Sequence, residues 1–146
     1  MRITTQGDYA LRCLLNIACQ DEEGAVPISR IVEEEGLPQD YIEQLLMKLR
    51  RHKLIKSVRG VNGGYLLKKD VAAITVKDVL EAVEGEAFEV ICSRRKNSKK
   101  SSCRRDACVL KNVWLDLKSM IEGHLDKISL KDLVLRIEHD VRRRRI

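Results

Sequence analysis

The stretch GLPQDYIEQLLMKLRRHKLIKSVRGVNGGYLL, residues 36–67, decides the fold. Leu37 and Pro38 open a helix, because proline is tolerated in a first turn, where its missing N–H would have no partner anyway. Ile42, Leu45, Leu46 and Leu49 then follow the i, i+3, i+4, i+7 rule, which buries one face and turns Gln39, Asp40, Glu43, Gln44, Lys48 and Arg51 away from it. The two short apolar segments that follow flank an Arg-Gly and an Asn-Gly-Gly turn, a pattern that predicts a β-hairpin. Upstream, Pro27 sits where a helix can start, and Ile28, Ile31 and Val32 mark a short apolar stripe that ends at Gly36. Two helices joined by a short glycine-containing turn form a helix-turn-helix, and a hairpin directly after it is a wing.

Outside this stretch the pattern stays helical. From Thr5 to about Gln20, Tyr9, Leu11, Leu14, Leu15, Ile17 and Ala18 recur at near-helical spacing, and Thr5 with Asp8 three residues later resembles a capping box. Cys13 and Cys19 fall among these apolar neighbours and are expected to pack in the core. Beyond the wing, Thr75 to Val83 carries a stripe of Val76, Val79, Leu80 and Val83. From Val109 onward, Val113, Trp114, Leu117, Met120, Ile121 and Leu125 line one side of a long helix of roughly four to five turns, and that stripe needs a partner. A last helix follows Ser129, its expected cap, through Leu130, Leu133, Val134 and Ile137. The fold class is therefore mainly α: a winged helix-turn-helix with a small β-hairpin wing and a long C-terminal helix. Residues 1–84 form the DNA-binding domain, 85–108 a cysteine-rich loop, and 109–146 the long helix, the helix after it and a basic tail, Arg142 to Arg145.

Composition narrows the function. Lys and Arg number 28 against 22 Asp and Glu in 146 residues, a net charge of +6 that suits a polyanionic partner such as nucleic acid. The chain has no run of about 18 apolar residues for a membrane span and no charged-then-apolar leader, so a cytoplasmic location without a membrane partner is expected. Five cysteines without an export signal argue against a disulfide framework and for ligation or redox chemistry. Three of them, Cys92, Cys103 and Cys108, lie in ICSRRKNSKKSSCRRDACVL, residues 91–110, which has almost nothing apolar to bury between its ends. Cysteines in so polar a stretch ask for a thiolate's role, and the surrounding Arg and Lys side chains depress thiol pKa values and offset negative charge. An iron-sulfur cluster, a zinc ion with a fourth donor and a reversible disulfide all remain open on spacing alone.

The helix-turn-helix supplies the second candidate constellation. Its second helix can enter a major groove with Gln39, Asp40, Tyr41, Glu43 and Gln44 leading. Glutamate can accept from cytosine N4, and glutamine can pair with adenine through two hydrogen bonds. Lys48, Arg50 and Arg51 suit phosphates, and Arg59 at the wing tip suits a minor groove. An enzyme finds no machinery here: there is no Cys-x-x-Cys pair, no nucleophile with an evident base and no glycine-rich phosphate loop. An iron-sulfur carrier protein would have no need of the wing.

From MRITTQGDYALR (1–12) through YIEQLLMKLR (41–50), SVRGVNGGYLL (57–67) and the three cysteines to VWLDL (113–117), the chain resembles the iron-sulfur cluster regulator (IscR) family of bacterial transcription factors. The resemblance implies a homodimer whose long helices cross, presenting one winged helix to each half of a two-fold symmetric double-stranded DNA site. It also implies base reading by Glu43 and Gln44, a minor-groove contact by Arg59, and cluster ligation by Cys92, Cys103 and Cys108. Two features depart from the family pattern. The gap between Cys92 and Cys103 is longer than usual, and Lys111 stands where some relatives carry a ligating histidine. Other relatives complete the site with an acidic residue from the opposite subunit, and Asp8 occupies that position here. The resemblance thus implies three cysteines plus Asp8 in trans, a 4Fe-4S cluster in preference to a 2Fe-2S one, and a regulator that senses iron, oxygen, nitric oxide or cluster status.

Overall fold

The computed structural model describes residues 4–20, 24–85 and 109–144. Its elements run α1 (Thr5–Cys19), α2 (Ile28–Glu35), α3 (Gln39–Arg51), β1 (Ile55–Val58), β2 (Gly64–Leu67), a 3-10 turn (Val71–Ala73), α4 (Val76–Glu84), α5 (Val109–Asp126) and α6 (Leu130–Arg144). The winged helix-turn-helix is present in the expected order. Ile42, Leu45, Leu46 and Leu49 are wholly buried, packed with Ala10, Cys13, Leu14 and Ile17 of α1, with Ile31 of α2 and with Val79 of α4. Gly36 ends α2 in the left-handed conformation (φ 64°), and its N–H caps the Val32 carbonyl.

β1 and β2 pair antiparallel with Ile55 opposite Leu67 and Val58 opposite Gly64. The wing is fastened to the helices by a bridge between Val26 and Tyr65, two backbone hydrogen bonds of 2.9 Å each. Gly64 makes that contact possible: a Cβ there would collide with the Val26 carbonyl and come within 2.8 Å of the Pro27 nitrogen. Both obstacles are backbone and cannot swing aside. Gly64→Ala is therefore expected to cost about 2 kcal/mol of stability, measured by chemical denaturation. An unchanged midpoint would show that the wing is not held this closely.

Two local expectations are corrected. Thr4, one residue before the expected cap, is the N-cap of α1, its Oγ1 accepting from the Gln6 N–H at 3.2 Å. Asp8 does not close a capping box. Instead Oε1 of Glu84, at the end of α4, accepts from the Thr4 N–H (3.0 Å), the Thr4 hydroxyl (2.7 Å) and the Gly7 N–H (3.0 Å). A carboxylate from another element thus meets the unpaired amides and positive end of α1. The second correction concerns the cysteines of α1: Cys13 is buried but Cys19 is exposed. Six residues turn a helix by about 240°, which carries Cys19 off the buried face.

The C-terminal helices pack partly on the winged domain. Leu130 is wholly buried in the same core. The Val76 N–H donates to the Ile128 carbonyl and the Leu130 N–H to the Ile74 carbonyl, both at 2.9 Å. Ser129 caps α6 as expected, in a reciprocal box with Asp132. α5 buries no residue fully; Ile121 and Leu125 of its stripe are half-buried, while Val113 is 51%, Trp114 42%, Leu117 39% and Met120 72% exposed. Among the described residues, no helix is long and apolar enough to cross a membrane.

Candidate nucleic-acid interface and the cysteine segment

The exposed side of α3 is set by the burial of its apolar stripe. Asp40, Glu43, Gln44, Met47 and Arg50 of α3 line, with Tyr65 of β2, an open concave surface of about 470 Å³ between helix and wing. Gln39 is also exposed and donates to Glu43 Oε1 at 2.8 Å, which fixes one carboxylate oxygen and leaves the other free to accept. Arg50 Nη1 lies 3.4 Å from Ser57 Oγ, linking the end of the helix to the wing. Arg51 and Arg59 are exposed, and Val61 at the wing tip is fully so.

Two of the residues singled out from sequence lie on the flank of α3 rather than on this face. Tyr41 is half-buried, its ring meeting Tyr9 of α1 edge-on at 6.1 Å and 89°. Lys48 donates its ammonium to the Val83 carbonyl at 3.1 Å, where the C-terminal end of α4 favours a cation. Both are about 90° around the helix from the stripe of Asp40, Gln44 and Met47, because each residue advances the helix by about 100°. Met47 and Val61 were not singled out from sequence. Helical spacing alone would have found Met47, since it falls three and four residues after Gln44 and Glu43.

Cys92, Cys103 and Cys108 fall outside the described residues, as does the whole stretch 86–108. Asp8 is described. It is exposed on the first turns of α1, with Oδ2 paired to Arg12 Nε at 2.9 Å. The Arg12 guanidinium in turn lies 5.9 Å from the Tyr9 ring centroid, so that Asp8, Arg12, Tyr9 and Tyr41 form one continuous line of contacts into α3. Glu84, immediately before the cysteine-rich loop, is held against the first turn of the same helix.

The donor chemistry fits a thiolate-bound metal group. A surface ion pair such as Asp8–Arg12 is weak and readily exchanged, so the carboxylate can be redirected to a metal. Cys13 is wholly buried in the core and so is not presented to a metal; burial pushes its thiol up to about 12, and the Cys19 thiol is also raised, by burial and by Glu138 and Glu34. Among the described residues no group of three or more His, Cys, Asp or Glu side chains could hold a metal, so thiolate ligands would have to come from the 86–108 stretch.

Comparison with known proteins gives this arrangement its setting. The Rrf2 family, described as an iron-dependent transcriptional regulator, matches residues 3–136. The HTH-type transcriptional regulator IscR of Photorhabdus laumondii is 40% identical over 134 residues, spanning 92% of this chain and 79% of that protein. Among solved structures, CymR, the global cysteine regulator of B. subtilis, superposes with a TM-score of 0.78 at 28% identity, covering 93% of this chain and 98% of CymR. IscR of T. potens does so with a TM-score of 0.76 at 32% identity, covering 96% and 90%. These are regulators and not enzymes, and their winged helices match this one. The chain belongs to the Rrf2 family of transcriptional regulators.

Proposed function

We propose that the protein is a cytoplasmic, homodimeric transcription regulator that binds a two-fold symmetric DNA operator and senses iron, oxygen, nitric oxide or cluster status through an iron-sulfur cluster. The ligands are Cys92, Cys103 and Cys108 of one chain and Asp8 of the other, and a 4Fe-4S cluster suits this donor set better than a 2Fe-2S one. The observation that carries the reading is Asp8, an exposed carboxylate with one oxygen in a displaceable ion pair, at the head of a line of contacts that ends on the recognition helix. The kinship with regulators named IscR supports it.

When bound, such a cluster supplies a centre that gains or loses electrons and is destroyed by reactive small molecules. The chain's own residues transmit the outcome. While Asp8 is held by Arg12, the guanidinium stays over Tyr9, and Tyr9 braces Tyr41 on α3. Redirecting Asp8 removes the partner that orients Arg12 and biases the packing of α3 on α1. On the DNA side, Gln39, Asp40, Glu43 and Gln44 face the bases, Arg50 and Arg51 the phosphates, and Arg59 the minor groove. Tyr41 and Lys48 act from behind, holding α3 on α1 and α4.

Anaerobic purification tests the sensor reading through visible absorption and quantified iron and acid-labile sulfide. The expected result is a brown protein with matching iron and sulfide, and colourless variants for Cys92→Ala, Cys103→Ala and Cys108→Ala. A protein that stays colourless after anaerobic reconstitution would leave the second reading, a zinc site or a thiol/disulfide switch. The structural likeness to a global cysteine regulator favours that one, and zinc content with thiol titration would separate its two forms.

A further inference from the structure

Met47 is the aliphatic residue on a surface otherwise lined by Asp40, Glu43, Gln44, Arg50 and Tyr65. It is 41% exposed. An exposed apolar side chain is by itself ordinary. Its position is not: it shares the helix face of Glu43 and Gln44, one turn further along, and opens into the concavity between α3 and the wing. Arg50, which lines the same concavity, has its guanidinium 3.4 Å from Ser57 Oγ of the wing.

The floor of a DNA major groove is a row of polar donors and acceptors interrupted by one kind of apolar group, the C5-methyl of thymine. An unbranched thioether, flexible and polarisable, can settle on such a methyl without demanding one exact geometry. We propose that Met47 is a specificity-determining residue that packs on a thymine methyl. One helical turn advances about 5.4 Å, so this thymine lies roughly one to two base pairs from the pair read by Glu43 and Gln44. The inference rests on α3 entering the major groove and is independent of the cluster.

The test uses the full-length protein and a duplex that it enriches from a random-sequence pool. Each thymine of the enriched duplex is replaced in turn by deoxyuridine, which removes the methyl and nothing else. Wild-type protein is expected to lose about fourfold in affinity at one thymine, the worth of one buried methyl-sized group. Met47→Ala should bind thymine and uracil duplexes equally at that position, and Met47→Leu should keep the preference. A uracil penalty that persists in Met47→Ala, or no penalty at any position, would overturn the proposal. Glu43→Ala serves as the control: relaxed base preference in that variant, without a Met47-dependent methyl effect, keeps α3 as the reader and removes only Met47's role.

Discussion

A mixed dimer of one Asp8→Ala chain and one Cys92→Ala chain is expected to carry one cluster, half the iron and sulfide of the wild type. If Asp8 completes its partner's site, the Asp8→Ala chain keeps three cysteines and receives Asp8 from the other chain. The reciprocal site lacks both Cys92 and Asp8. If Asp8 served its own chain instead, neither site would be complete: the Cys92→Ala site would stay empty, and the other would lose its cluster as fast as the Asp8→Ala homodimer does, whereas ligation in trans predicts one cluster of wild-type stability. The outcome is not foregone, because Glu84 holds the approach to the cysteine segment against the first turn of its own α1. Tagging the two chains differently and purifying through both tags isolates the mixed species. The Asp8→Ala homodimer is the companion measurement, expected to lose its cluster far faster than the wild type while remaining a dimer. Asp8→Ala retaining a wild-type cluster would remove Asp8 from the ligand set altogether.

What local pattern could say about this fold, it said through α3 and the wing. The four leucine and isoleucine positions of α3 are wholly buried because strict helical spacing leaves one apolar stripe and the core has one place for it. The wing was legible because its turn is written in glycine, with Gly60 at a φ of 117°. What failed was decided by distant residues. Thr4 and Thr5 are equivalent as local caps, and the choice between them is bound up with Glu84, 80 residues away. Periodicity turned Lys48 away from the apolar stripe and left Tyr41 on the leading edge of the helix, but it could not show that both would also have partners within the chain. Tyr9 meets Tyr41, and the carbonyl end of α4 draws in Lys48. The polar surroundings of Cys92, Cys103 and Cys108 pointed to thiolate chemistry, but spacing in a long segment does not say how ligands converge, and the segment lies outside the described residues.

The exposed stripe of α5 leads to the other large effect. Leu117→Glu combined with Met120→Glu is expected to turn the proposed dimer into a monomer. Val113, Trp114, Leu117 and Met120 lie on one side of a helix that buries no residue fully in its own chain, so an interface of their own is the use left to them. Burying side chains of this size gains about 1.5–3 kcal/mol each, enough over two copies to offset the cost of association. Around a two-fold axis each substitution occurs twice, so the double variant places four carboxylates in the contact. Because none of these residues belongs to the buried core, the thermal melt should shift far less than a core substitution would shift it, and sedimentation should report half the mass. Operator affinity should then fall by about a hundredfold or more, since two linked winged helices gain an effective concentration that one cannot. A variant that stays dimeric would move the interface elsewhere, to α6 with its exposed Leu135, Ile137 and Val141. The monomer would carry all three cysteines and Asp8 unaltered, yet under ligation in trans it should be unable to hold a cluster. Loss of colour in a chain with every ligand intact would then come from the missing partner alone.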